Sequence, residues 1–166
     1  MKKIILSEQD LYCGYVSMPK GFEINPLNFT QSIIKSLYTD KFTLCKDWDK
    51  THTYIKDFFY LKHKKSLVYK DTWGNVFSPN ENTKPLLNID PVDLRNSPDY
   101  TLLYGVNTVD CNITIYFDDN RRKGRSYTIE LKNNMFVMFP STNTYYIKNK
   151  QKESLNFVQT ILYEYI

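Results

Sequence analysis

The hydrophobic period of this chain changes near residue 66, and this change limits the folds open to it. In two stretches before residue 66, apolar side chains recur every three to four residues, as on one face of a helix. Residues 111–117 instead alternate, with Ile113, Ile115 and Phe117 on one face of a predicted strand. Helices followed by many short antiparallel strands predict an α+β protein with a sandwich or jelly-roll core.

Two helices are predicted in the first part of the chain. The first spans about residues 27–38, with Asn25 as its N-cap and Pro26 at its first position. The second spans about residues 49–61 and is followed by lysines, which favour a helix C-terminus. Short strands are predicted around these helices, at residues 2–6 and 11–16.

The second part of the chain reads as a series of strands. A polar connection at residues 78–99 is rich in Asn and Pro, and a loop this long is either functional or packed over the sheet. The 166 residues fit a single domain, with residues 1–65 as its helical and strand N-terminal part and residues 66–166 as its β-core. Strands are predicted at residues 66–69, 73–77, 100–106, 111–117, 126–131, 135–139, 145–147 and 155–165.

Composition excludes several functional classes. The formal charge of +4, from 22 basic and 18 acidic residues, is too small to argue for nucleic-acid binding. No apolar stretch approaches the roughly 20 residues of a membrane span. The 3 cysteines are widely spaced and form no C-x-x-C pair, which argues against a disulfide framework or a zinc site. We therefore predict a cytoplasmic protein whose partners are other proteins.

The tripeptide Phe139-Pro140-Ser141, preceded by Asn133-Asn134-Met-Phe-Val-Met, resembles a strand and turn of the phage-type 2-oxoglutarate/iron(II) oxygenases. The resemblance covers about residues 66–166. It implies a double-stranded β-helix, a jelly-roll-like antiparallel core on which the N-terminal helices would pack. It also implies a metal-binding histidine about six residues after the phenylalanine, and Tyr145 stands at that offset.

The same resemblance implies a basic residue just before the last core strand, where it would pair with the 2-oxoglutarate carboxylate. Lys152 is the nearest match. Gln159 interrupts the apolar face of the last strand and is a further candidate for the pocket. Upstream, residues 73–77 resemble the strand that leads to a His-x-Asp or His-x-His ligand pair. The stretch after Pro85 reads Leu86-Leu87-Asn88 and contains no histidine.

The histidines of this chain argue against an iron site. Non-haem iron is typically held by two histidines and one carboxylate. Only His52 and His63 are present, and both fall in or at the end of the second predicted helix. Eleven helical residues separate them by about 16 Å along the axis, so one metal cannot bind both. We predict two surface imidazoles and no metal site.

Other residues are weaker candidates for metal binding or nucleophilic catalysis. Asp110, Asp118 and Asp119 have the oxygen atoms that a hard cation prefers, but they equally neutralise neighbouring arginines. Cys45 lies near His52 in sequence, which is poor evidence for a nucleophile and base. Cys111 falls in the alternating strand and is predicted to be a small buried hydrophobe.

The most concentrated charge lies in a predicted hairpin tip. Such a tip suits phosphate or an acidic protein surface, although a solvated turn that protects a sheet edge has the same composition. Four cations fall within five residues there: Arg121, Arg122, Lys123 and Arg125.

Three functional hypotheses follow. The first is a phage-encoded, non-catalytic β-core protein that needs no cofactor. It would act in a virion, in assembly or in host interaction, through other proteins or copies of itself. It would lie in the host cytoplasm or the virion. The alternative is an oxygenase that uses iron and 2-oxoglutarate with atypical ligands, in which Tyr145 and Lys152 line the pocket. The third is a single-stranded nucleic-acid binder that uses Arg121, Arg122 and Arg125 beside tyrosines.

Overall fold

A computed structural model describes residues 9–39, 46–118 and 124–166 of the chain. The strand predicted at residues 2–6 lies outside these ranges. Within them, the elements follow in this order: β1 (Tyr12–Tyr15), α1 (Pro26–Tyr38), α2 (Lys46–His63), β2 (Leu67–Phe77), β3 (Tyr100–Asn107), β4 (Cys111–Asp118), β5 (Arg125–Leu131), β6 (Met135–Pro140), β7 (Tyr145–Asn149) and β8 (Asn156–Tyr165).

The strands form two antiparallel sheets. The larger has the order β1-β6-β3-β8-β2, and the smaller has the order β5-β4-β7. From β3 onward the chain passes repeatedly between the sheets, because β4, β5 and β7 lie in the smaller sheet while β6 and β8 lie in the larger one. This is a β-rich, jelly-roll-like arrangement with two helices, of the kind that the sequence predicts.

The helices contribute to a core on one face of the larger sheet. Helix α1 begins as predicted, since Asn25 Oδ1 accepts hydrogen bonds from the backbone N–H groups of Leu27 (3.0 Å) and Asn28 (3.2 Å). Glycine at position 74 lets the helices approach β2 closely, because a Cβ there would lie 2.6 Å from Ile33 Cγ1. Side chains from both layers form this core: Phe29, Ile33, Trp48, Ile55, Phe59, Leu102, Tyr104, Phe136, Ile161 and Tyr163.

A second core fills the space between the two sheets. Strand β8 takes part in both cores, because Phe157, Ile161 and Tyr163 belong to the helix-side core while Val158 belongs to the core between the sheets. This explains why nearly the whole of β8 is buried. The side chains between the sheets include Leu103, Ile113, Ile115, Val137, Phe139, Tyr145, Ile147 and Val158.

Two stretches differ from the sequence prediction. The strands predicted at residues 66–69 and 73–77 are one strand, β2, whose register against β8 shifts between Tyr69 and Asp71. This irregularity interrupts the alternation that a regular strand would show. The connection at residues 78–99 is not purely irregular, since it makes isolated antiparallel bridges from Asn82 to Lys148 and from Leu86 to Tyr145. No helix in the described ranges is long and apolar enough to cross a membrane.

Candidate functional site

Tyr145 lies at the start of β7 and points into the core between the sheets. Its side chain is only 3% exposed, and its ring meets the Phe139 ring edge-on with 5.1 Å between the centroids. Both residues come from the segment that resembles the oxygenases. The position where the resemblance implies a metal ligand is therefore filled by a buried phenol.

Asn88 completes this site and was missed as a candidate by the sequence analysis. Its Nδ2 donates hydrogen bonds to Tyr145 Oη and to Thr101 Oγ1, each at 3.1 Å. Leu86, two residues earlier, pairs with Tyr145 through the backbone and brings Asn88 to it. A signal was present, because Asn88 ends the stretch in which the resemblance implies the first ligand pair.

Two hydroxyl groups extend the contact. Thr101 Oγ1 and Ser141 Oγ are 2.9 Å apart and hydrogen-bonded, and both residues are at most 1% exposed. We call Asn88, Thr101, Ser141 and Tyr145 the Asn88 network. Burial raises the pKa of Tyr145, while the hydrogen bond from Asn88 opposes this rise. Every member of the Asn88 network is therefore neutral at pH 7.

We expect a measurable stability contribution from the Asn88–Tyr145 bond. Replacing Tyr145 by phenylalanine removes the oxygen that accepts from Asn88, and should lower the free energy of unfolding by about 1 kcal/mol in urea titrations. Tyr146→Phe is the matched control, because this neighbouring tyrosine is only half-buried and its ring contacts Tyr116. It should change stability by less than about 0.5 kcal/mol. Equal effects of the two substitutions would contradict a role for this bond.

The other two pocket candidates lie away from Tyr145. Lys152 is exposed in the connection after β7, whereas Tyr145 begins that strand. At about 3.3 Å per residue, the length of β7 separates them by more than about 13 Å. Gln159 is fully buried but shares the helix-side face of β8 with Phe157 and Ile161. Its Nε2 donates to Thr72 Oγ1 at 3.0 Å, and its Oε1 has no hydrogen-bond partner among the described residues.

The histidines lie on α2, as predicted, but both are half-buried. The His52 ring lies between Tyr69 and Tyr163, at centroid distances of 4.5 and 5.7 Å. Its Nδ1 is buried and has no hydrogen-bond partner in the part of the chain that the structure describes. The His63 ring contacts those of Tyr12, Phe58 and Phe59. Aromatic side chains from the sheet and from α2 itself partly cover both rings, which corrects the prediction of surface imidazoles.

The environment of His52 predicts a pH dependence of stability. Burial lowers the pKa of His52, and Lys56 lowers it further, while Asp49 and Asp57 oppose these effects. The unfolded chain, with a histidine pKa of about 6.5, then binds more protons than the native state as the pH falls. The contribution of neutral His52 to the free energy of unfolding should therefore be present in full above about pH 6.5 and decrease as the pH falls below it. The variant His52→Phe keeps a ring against Tyr69 but cannot titrate. As the pH falls below about 6.5, its stability in urea titrations should therefore decrease less than that of wild type. Parallel losses would exclude His52 as the titrating group.

The remaining candidates do not assemble a reactive centre. Burial raises the pKa of the fully buried Cys111 to about 12, so its thiol is inert, as predicted. Cys45 lies outside the described residues, as do Arg121, Arg122 and Lys123; Arg125 is exposed at the start of β5. The function of this cationic turn stays a prediction. Across the described parts of the chain, no group of three His, Cys, Asp or Glu side chains is placed to hold a metal ion.

Comparisons with solved structures identify the fold. A prolyl-4-hydroxylase from Pseudomonas putida matches with a TM-score of 0.66 at 8% identity, over 94% of this chain and 88% of that chain. The non-heme α-ketoglutarate-dependent carbocyclase SnoK of nogalamycin biosynthesis matches with a TM-score of 0.67 at 10% identity, over 94% and 80%. A prolyl hydroxylase from Trichoplax adhaerens, in complex with a hypoxia inducible factor peptide, gives 0.63 at 9%, over 93% and 83%.

At these identities the comparisons show the fold alone. This chain has the oxygenase-like fold of the 2-oxoglutarate/iron(II) enzymes, as the resemblance implied. No family model matches the sequence, and no curated protein does.

The side chains of the Asn88 network do not suit a non-haem iron site. An amide, a phenol and two hydroxyls are not the imidazole and carboxylate ligands that typically hold this metal. The stretch Asn88-Ile89-Asp90 has a carboxylate two residues after Asn88 but contains no histidine. The Asp90 carboxylate accepts a hydrogen bond from the backbone N–H of Val92 at 2.8 Å. Lys152, the candidate partner of 2-oxoglutarate, lies beyond the other end of β7.

Proposed function

We propose that this chain is a non-catalytic protein that uses the oxygenase fold as a scaffold for binding. One observation carries the proposal: the buried Tyr145, which stands where the resemblance implies a ligand histidine, is hydrogen-bonded to the half-buried Asn88. Folds host many functions, so activity has to be argued from the site. A neutral, mutually hydrogen-bonded site stabilises the core and offers no group suited to iron.

The proposed partner is another protein. The connection before β3 supports this, because its tip exposes Val92 (95%) and Leu94 (62%). Two hydrogen bonds support the backbone of the tip: Asp90 Oδ1 accepts from Val92 N, and Ser97 Oγ donates to the Asp93 carbonyl. A backbone that is already in its bound conformation lowers the entropic cost of binding. Phage origin and a role in a virion, in assembly or in host interaction stay predictions.

A second candidate is the alternative hypothesis, an oxygenase with atypical ligands. The fold comparisons favour it over a virion component, since the matched structures include two prolyl hydroxylases and a carbocyclase. In this case Tyr145 would line the pocket and iron and 2-oxoglutarate would be required. Nothing observed favours the single-stranded nucleic-acid hypothesis, whose arginines lie mostly outside the described residues.

Metal and cosubstrate measurements separate the two candidates. The full chain is titrated with Fe²⁺ under anaerobic conditions by calorimetry, and then tested in air for conversion of 2-oxoglutarate to succinate. The non-catalytic proposal expects neither stoichiometric iron binding nor turnover above that of free Fe²⁺. Stoichiometric iron together with succinate formation would overturn it and establish the oxygenase. Tyr145→Phe serves as a matched variant, because it would alter turnover only if the phenol lines a working pocket.

A further inference from the structure

Four strands lie at the edges of the two sheets, and three of these edges are protected against further pairing. Strand β1 has only four residues, β2 has a register irregularity near Lys70, and β7 pairs with Asn82 and Leu86 of the long connection. Short length, irregularity and cover are devices by which native proteins protect sheet edges. Strand β5 is the remaining edge, and it shows none of these three devices in the part of the chain that the structure describes.

Strand β5 is regular and accessible. Its residues 126–131 pair with β4 in unbroken antiparallel register, and the strand contains no proline. Residues 125–128 are exposed, and the Tyr127 side chain keeps 53% of its accessible surface. Every second residue of an antiparallel edge strand directs its backbone N–H and C=O groups away from the sheet. The outer edge of β5 therefore has both the backbone groups and the access that a further strand needs.

The sequence of β5 is complementary to itself. When two copies lie antiparallel, the register that pairs all seven residues sets Thr128 opposite Thr128. The same register sets Tyr127 opposite Ile129, and an aromatic residue opposite a β-branched one is a favourable cross-strand pair. Glu130 falls opposite Ser126, so its charge does not meet a like charge. A second copy of this chain therefore fits the edge as a partner strand.

The hydroxyl group of Thr128 already takes part in a cross-strand contact. Thr114 Oγ1 and Thr128 Oγ1 are hydrogen-bonded at 2.9 Å on the exposed face of the smaller sheet. Opposed threonines in neighbouring strands stabilise a sheet through such hydrogen bonds. Pairing two copies at Thr128 would extend this contact into a row of threonines that crosses both copies.

We infer that this protein forms a symmetric dimer through antiparallel pairing of two β5 strands, centred on Thr128. The two smaller sheets then join into one continuous sheet, and the same surface is used on both copies. Seven residues from each copy are fewer than the roughly 20–30 of a standard interface, so we expect a Kd in the micromolar range. The inference does not rest on the proposed function, because β5 contains no residue of the Asn88 network.

A charge at position 128 tests this dimer. The full chain is followed by sedimentation velocity at increasing concentration in about 0.1 M salt, where wild type should dimerise. Thr128→Lys and Thr128→Glu each set two like charges directly opposite each other, and should raise the Kd about fivefold or more. An equimolar mixture of the two variants sets opposite charges against each other and should restore the Kd of wild type. Both variants should keep the native circular dichroism, because Thr128 is exposed.

Thr114→Lys and Thr114→Glu are the matched controls. They add the same charges to the same face and remove the same contact between Thr114 and Thr128. In the dimer the two copies of position 114 are three strand spacings apart, which is about 14 Å. This distance exceeds the Debye length of about 10 Å at this salt concentration, so the Kd should stay within about twofold of wild type.

Several outcomes would overturn the inference. A wild-type chain that stays monomeric at every concentration would do so, and so would a dimer that neither Thr128 variant weakens. A mixture of the Thr128 variants that associates no more tightly than either variant alone would exclude direct pairing at this position. Equal weakening by the Thr114 variants would show that the charge of the face, and not pairing along β5, controls association.

Discussion

Replacing Asn149 by aspartate is expected to destabilise the protein by about 4 kcal/mol at pH 7. Asn149 is fully buried at the end of β7, and its Nδ2 lies 3.1, 3.0 and 2.8 Å from the carbonyl oxygens of Phe77, Ser78 and Ser154. Its Oδ1 accepts from the Gln151 N–H at 3.0 Å. A carboxylate would bring negative charge against three carbonyl oxygens and could donate to none of them. Urea titrations measure the loss.

Two control variants separate charge from the loss of donors. Asn149→Ala removes the same hydrogen bonds without adding a charge, and should cost about 2–3 kcal/mol. Asn82→Asp makes the same chemical change at an exposed residue and should stay within about 0.5 kcal/mol. The cost of Asn149→Asp should decrease as the pH falls, because protonation removes the charge and restores one donor. A smaller loss for Asn149→Asp than for Asn149→Ala would contradict the described contacts.

Truncating Trp48 to alanine is expected to cost about 3–5 kcal/mol. The indole is 2% exposed and stacks on Phe29 with 5.2 Å between ring centroids. Its Nε1 donates to Ser32 Oγ at 2.9 Å, which joins α2 to α1. Alanine would leave a cavity under both helices and remove the donor to Ser32. Urea titration of the variant gives the loss directly.

Matched variants test this packing. Trp48→Phe keeps an aromatic ring and loses the N–H, so it should cost about 1–2 kcal/mol. Trp73→Ala removes an indole that is only half-buried on β2, and should cost less than Trp48→Ala. An equal or greater loss at Trp73 would show that Trp48 does not join α2 to α1 as described.

Sequence alone predicts most of the elements, because each carries a local signal. The cap at Asn25 marked the start of α1, and strict alternation marked β4. The sequence predicts two strands where the structure has the single strand β2. The register irregularity near Lys70 breaks the alternation on which the prediction of a strand depends. The bridges at Asn82 and Leu86 involve single residue pairs, which leave no periodic pattern to detect.

The candidate site was predicted only in part. Tyr145 was found from its offset after Phe139, since both lie in one continuous segment. Asn88 was missed because its contact with Tyr145 joins residues 57 positions apart, and such contacts depend on how the segments fold back on each other. Gln159 was identified as polar within an apolar face, but β8 is buried on both sides. The sequence of β8 does not show whether the helices or the smaller sheet cover the face that carries Gln159.

The position of β2 has a consequence for how the protein is made. Strand β2 lies at the edge of the larger sheet, and β8 is its neighbour there. On the ribosome, residues 67–77 emerge long before residues 156–165, so a nascent chain carries an unpaired strand throughout the synthesis of the intervening strands. Unpaired strand edges are prone to aggregate. Translation speed and chaperone supply should therefore affect the yield of native protein.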